Sequence, residues 1–373
     1  MSIGTQQQGW HRASSPDGRL LAVGGDGKTI EIIDLRRRRM LATIEVGQGQ
    51  TFLAWPHPDR ITAVTGAASV GKLKSAVIID VNEGAVVAHQ QLSGEFVNAA
   101  ASEDVLAVLT APARPEGSRR VTDLTVLWAS GKAMTFRLGG IGSGYRFPSD
   151  EAQNRIGHYA LPGLAIDRNG NRVFVFGVDR LVAEVSLGGG TVSYRRLVGP
   201  SSSLALDAAE AKLANYSQLF ARSLPNGLIA VFGHDQRLVP RGRHHLDHRF
   251  DPFGVVLFDP EDGRACVLHD RADSALIAAE VLIVFTSIAS GPDGGTGVTA
   301  YTMSGKRLWH RFGDDAIDFV QVLNGYAYIT KSWHGWDTAV VELSTGRLVE
   351  AIRGRPADLA GAQSSRPGVN GLY

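Results

Sequence analysis

One pattern runs the length of this chain: a strand of alternating apolar residues, a short polar turn, and a second alternating strand. It occurs at 29–46, 75–92, 123–138, 181–197, 254–269, 298–312 and 338–353. Six of these seven turns carry a glycine at or near the tip: Gly84, Gly131, Gly189 or Gly190, Gly263, Gly305 and Gly346. A tight antiparallel hairpin needs a residue at positive φ in its turn, and glycine takes that conformation with no Cβ to clash. Another apolar run precedes each hairpin. Several are introduced by turns of their own, at Pro16-Asp17-Gly18, Asn169-Gly170, Pro225-Asn226-Gly227 and Asn324-Gly325.

Each repeat therefore holds about four strands in about 40–75 residues. A single four-stranded sheet cannot bury both of its faces, whereas a stack of such sheets can. The expectation is an all-β fold, a seven-bladed β-propeller of four-stranded antiparallel blades forming one domain over 1–373. The blades are expected near 10–47, 51–93, 96–139, 162–198, 219–270, 274–313 and 316–354. Two segments break the regularity. Residues 139–162 read as a long polar connection, and 207–223 as a short helical insertion between blades four and five. Asp207 and Glu210 form a capping-box pair there, and Leu213, Tyr216 and Phe220 follow helical spacing.

The run Ser15-Pro16-Asp17-Gly18-Arg19-Leu20-Leu21-Ala22-Val23 resembles the turn and strand of YVTN and WD40-type repeats. Ser304-Gly305-Lys306-Arg307-Leu308-Trp309 is similar to the hairpin of PQQ-like repeats. The resemblance covers nearly the whole chain and implies blades, not an activity. The Trp-Asp and Gly-His dipeptides of true WD40 blades are missing. The adjacent cysteine pair of PQQ dehydrogenases is missing too, because Cys266 is the one cysteine. PQQ is therefore set aside as a cofactor.

Composition supports this picture and narrows the partners. With 44 glycines and 20% charged residues, the chain suits many short strands joined by tight turns. Its 38 basic and 37 acidic residues leave a formal charge of +1, which gives no reason to expect nucleic acid. No apolar run reaches the roughly 18–20 residues of a membrane span. The opening residues lack the charged and apolar regions of a secretion signal. A soluble, cytoplasmic protein is expected, with an exported mature form left open. Arg36–Arg39 reads as a solvated hairpin tip, and Cys266 as a packed thiol within a strand.

The variable length falls in a consistent place. Residues 67–74, 111–122, 234–253, 287–297 and 332–337 join second to third strands. Residues 139–162 and 198–223 join one blade to the next. Long loops in a compact domain are usually functional, and in a propeller these would all open on one rim. They carry basic and aromatic residues together. Arg120, Tyr145, Arg241, Arg243, Trp333 and Trp336 are the expected contacts for a small anionic or aromatic ligand, or for a protein partner.

Two stretches could carry chemistry. Residues 234–251 hold four of the eleven histidines. His244 and His248 would share one face of a helical turn, and with His234 or nearby aspartates could hold a divalent metal, although adjacent arginines oppose a cation. His334, between Trp333 and Trp336, could act as a general base, as could His244 and His248. The bland reading of each is a solvated loop with incidental histidines. Three motif fragments are discounted. Gly24–Thr29 joins two strands and is no phosphate loop. Asp167–Asn171 is a turn and no calcium loop, and Cys266 has no partner histidine in sequence. Two functions remain open: a binding module, or a lyase, isomerase or hydrolase with a His/Arg pocket.

Overall fold

The computed structural model describes residues 12–24, 28–47, 49–66, 74–111, 121–146, 158–197, 216–241, 245–278, 280–286, 295–313, 315, 317–331 and 337–353. The chain forms two compact units, Met1–Arg196 and Leu197–Tyr373. Among the described residues every regular element is a strand.

In the first unit, sheet 1 contains β1 (Arg12–Ser14), β2 (Leu20–Val23), β3 (Thr29–Asp34) and β4 (Arg39–Glu45). Sheet 2 contains β5 (Gln50–His57), β6 (Arg60–Thr65), β7 (Lys74–Asp80) and β8 (Ala85–Leu92). Sheet 3 contains β9 (Glu95–Ser102), β10 (Val105–Ala111), β11 (Val121–Trp128) and β12 (Ala133–Gly139). A small hairpin, β13 (Gly144–Arg146) with β14 (His158–Leu161), follows. It lies inside the segment 139–162, expected to be a long polar connection. Sheet 4 contains β15 (Gly163–Ile166), β16 (Arg172–Phe176), β17 (Leu181–Ser186) and β18 (Thr191–Arg196).

In the second unit, sheet 5 contains β19 (Tyr216–Ser223), β20 (Ile229–Arg241), β21 (His245–Phe258) and β22 (Ala265–His269). Sheet 6 contains β23 (Ser274–Ala278), β24 (Val281–Phe285), β25 (Val298–Thr302) and β26 (Arg307–Arg311). Sheet 7 contains β27 (Ile317–Leu323), β28 (Tyr326–Lys331), β29 (Asp337–Glu342) and β30 (Leu348–Arg353). In all seven sheets these four strands pair antiparallel in sequence order.

The middle strands read as nearly continuous apolar runs because both of their faces are buried. On β7, Val77 and Ile79 pack with Ile30, Leu53 and Trp55 of sheets 1 and 2. The intervening Ala76 and Ile78 pack with Leu106 and Val108 of sheet 3. β24 divides in the same way. Leu282 and Val284 join a core with Phe232 and Leu257 of sheet 5, while Ile283 and Phe285 join one with Val320 and Ile329 of sheet 7. In the first unit the leading strands β1, β5, β9 and β15 neighbour one another in that order.

Polar ties reinforce the apolar contacts. Asn98 Nδ2 donates to the Pro162 carbonyl at 2.9 Å, Asn226 Nδ2 to the Met303 carbonyl at 2.9 Å, and Tyr301 Oη to the Leu268 carbonyl at 2.9 Å. Arg60 pairs with Asp104 between sheets 2 and 3.

The one repeat turn without glycine solves the hairpin problem with Arg38, which takes φ 51° in the turn from β3 to β4. The Arg36–Arg39 tip is exposed, as expected. Asp167 also behaves as a turn residue. Its carboxylate accepts the backbone N–H groups of Asn171 (2.8 Å) and Arg172 (3.1 Å), then the Arg172 guanidinium at 3.1 Å, which occupies the oxygens a calcium ion would need.

Two expectations are corrected here. The helix expected over 207–223 is absent wherever the chain is described. Residues 216–223 form β19, paired along its whole length with β20, and residues 207–215 lie outside the described residues. Tyr216 and Phe220 misled because a separation of four suits one face of a strand as well as one face of a helix. Phe220 stacks on Phe232 of β20 at 5.4 Å between ring centroids. Cys266 is in a strand as expected, but it is exposed, because the fourth strand of its sheet is an outer one.

Candidate functional site

Antiparallel order fixes which ends of each sheet carry which connections. Links from first to second and from third to fourth strands lie at one end. Links from second to third strands, and the exits to the next sheet, lie at the other. In both units the first kind are turns of two to six residues, and every longer connection is of the second kind. The loop-bearing end expected from sequence is therefore present in each unit.

The largest departure from the repeat lies at that end of sheet 5. β20 and β21 run to 13 and 14 residues, where the other sheets use four to eight. Residues 234–253, expected to be a loop with a helical turn, are instead a β-hairpin arm. Its backbone register continues from His234↔Pro252 to Arg237↔Arg249, Leu238↔His248, Val239↔Asp247, Pro240↔Leu246 and Arg241↔His245. β19 follows β20 only as far as Gln236, so the outer rungs pass beyond it. Because 245–248 is extended, the helical turn that would bring His244 and His248 together is not formed.

His234 lies at the base of the arm, where β20 leaves the body of the sheet. His234 is 8% exposed. It lies 6.2 Å from the Tyr216 ring and edge-on to Phe250 at 5.8 Å. Burial lowers its pKa to about 4, so the ring is neutral at pH 7. Tyr216 donates its hydroxyl to Gln218 Oε1 at 3.0 Å. Asp235, the next residue, is fully buried, between Ser217 of β19 and Asp251 of β21 in the register. Among the described residues no group of three histidine, cysteine, aspartate or glutamate side chains could hold a metal ion. His234 is packed among aromatic rings, a poor setting for a ligand.

In the first unit, Lys74 opens β7 at the loop-bearing end and is 7% exposed. Its ammonium lies 5.8 Å over the Phe96 ring. Burial lowers its pKa, and Glu95 opposes that shift.

The residues nominated from sequence divide accordingly. Arg241 and His248 lie in the arm and Tyr145 in β13. Arg120, Arg243, His244, Trp333, His334 and Trp336 lie outside the described residues. The buried base formed by His234, Asp235, Tyr216 and Gln218 was missed as a unit. Residues 234–240, four polar residues followed by Leu238, Val239 and Pro240, do not alternate, so the sequence carried no strand signal for it.

No protein-family profile matches this sequence, and no curated protein is similar to it. Solved structures are similar in fold. The computationally designed Ika8 protein matches with a TM-score of 0.52 at 13% identity, over 95% of this chain and 90% of that one. Dihydro-heme d1 dehydrogenase NirN, in complex with DHE, matches with 0.53 at 11% identity, over 93% of this chain and 66% of that one. BamB from Moraxella catarrhalis matches with 0.50 at 12% identity, over 95% and 91%. NirN and BamB are β-propeller proteins, and the four-stranded sheets of this chain belong to the same β-propeller type of fold.

Proposed function

We propose that this protein is a β-propeller binding module, its seven sheets serving as the blades of one domain. Its loop-bearing end holds an anionic or aromatic ligand, or a protein partner presenting such groups. The observation that carries the reading is the distribution of chain length. Short turns close one end of every sheet, and all the added length, including the β20–β21 arm, lies at the other. A fold that supports many unrelated functions places its specificity in such additions, which a rigid scaffold holds in position. The arm supports the reading further, because a hairpin presents residues more rigidly than a loop of equal length.

The test is a variant in which 237–249 is replaced by an Asn-Gly turn. Wild type and variant are screened by thermal unfolding against a panel of aromatic carboxylates and phosphates. The reading expects stabilisation of the wild type by at least one class, weakened at least tenfold in apparent affinity by the deletion. Equal responses from the two proteins would reject the arm as part of the binding end.

A further inference from the structure

The charges of sheet 4 are unevenly matched. Arg172 reaches both Asp167 (3.1 Å) and Glu184 (3.5 Å), and Arg195 pairs with the same Glu184. These contacts compensate the two arginines among themselves. Arg180 is different. It ends the tight 177–180 turn from β16 to β17, donating its backbone N–H to the Gly177 carbonyl at 2.9 Å. Its Nη2 is buried without a hydrogen-bond partner. A buried guanidinium nitrogen without a partner is costly and calls for an explanation.

Two further observations sharpen the anomaly. Arg180 holds φ at 67°, a left-handed conformation that an arginine adopts at a cost and that glycine or asparagine takes more readily. The residue on the next rung, opposite Leu181, is Arg196, a second cation. Arg196 lowers the pKa of Arg180, adding to the effect of burial. The turn rests on the start of the 140–162 connection, where Ile141 Cδ1 would be 3.2 Å from a Cβ at Gly177 and Leu181 Cδ2 would be 3.0 Å from one at Gly140. Arg180 is thus held at the loop-bearing end, strained, partly desolvated and beside a like charge.

We propose that Arg180 and Arg196 form an oxyanion subsite that takes the carboxylate or phosphate group of a ligand. A planar guanidinium with an unpaired, desolvated Nη2 is suited to a charge-assisted contact with either group. An arriving anion would satisfy Nη2 and relieve the repulsion between the two arginines. The inference rests on the reading of this end of the sheets as the binding end, and it adds the chemistry of one contact.

The experiment compares wild type, Arg180→Asn and Arg196→Gln by thermal unfolding. Each is measured with inorganic phosphate, with acetate, and with sodium chloride at matched ionic strength. The wild type should gain stability from phosphate or acetate beyond the chloride control, and the more effective anion identifies the source. Without added anion, Arg180→Asn should unfold at least about 1–2 °C above the wild type, because asparagine tolerates the left-handed backbone and removes the buried cation. Its anion increment should vanish, and that of Arg196→Gln should fall at least threefold. The proposal is overturned if neither anion stabilises the wild type, if Arg180→Asn keeps the full increment, or if it unfolds below the wild type without anion. Those results bear on the arginines alone, whereas arm deletion tests the binding end separately.

Discussion

Gly233 and Gly254 stand directly opposite one another across β20 and β21, at the point where sheet 5 gives way to the arm. The register slips by one residue immediately after Gly233. Gly233 takes φ 152°, and a Cβ there would lie 1.9 Å from the carbonyl oxygen of Gln218 on β19. The backbones approach this closely only because no side chain intervenes. Gly233→Ala should therefore cost about 2–4 kcal/mol in chemical denaturation. A cost under half a kcal/mol would mean that the bulge does not set the exit of the arm.

Trp309 supplies a second, independent point of strength. Its indole N–H donates to the Leu343 carbonyl at 2.8 Å, and its ring lies over the turn at Gly346, where a Cβ would approach Trp309 Cγ to 2.5 Å. Arg311 Nε donates to the Gly346 carbonyl at 2.6 Å. Trp309→Phe keeps most of the apolar contact and removes the hydrogen bond, with an expected loss of about 1–3 kcal/mol. Urea denaturation of the two proteins checks it.

The neutral, buried His234 gives the protein an acid-sensitive component. Its folded pKa of about 4 lies below the unfolded value of about 6.5. As pH falls, the unfolded chain takes up the proton first. The stabilising contribution is full above about pH 6.5, declines between there and about pH 4, and is lost below. Between pH 7 and pH 5 this one residue should cost about 2 kcal/mol. His234→Phe, which suits the Tyr216 and Phe250 rings, should be less sensitive by that amount. Parallel stability curves for the two proteins across that interval would contradict the assignment.

The repeat was legible because a strand buried on both faces must be apolar throughout. Val77, Ile78 and Ile79 serve two cores in succession, and the sequence reports that directly. The turn glycines marked the hairpins for a similar reason, and Arg38 shows that the constraint is the positive φ, which another residue can meet. The arm was not legible as an arm. Residues 234–241 lack the polar–apolar alternation of a strand, and His244 and His248 suggested a helical turn through their spacing alone. Arg180 was equally hidden, since neither its strained backbone nor its unmatched charge follows from residue identity. Those depend on which acids Arg172 and Arg195 have already engaged.

The central claim is that ligands or partners meet the loop-bearing ends of the sheets. Hydrogen–deuterium exchange on the whole protein tests it most directly, with and without the best binder from the aromatic carboxylate and phosphate panel. The account predicts protection in the arm and the second-to-third-strand connections, with the turns around Asp17, Asp80, Asp167 and Asp259 unchanged. Protection at those four turns, or a panel with no binder at all, would contradict it.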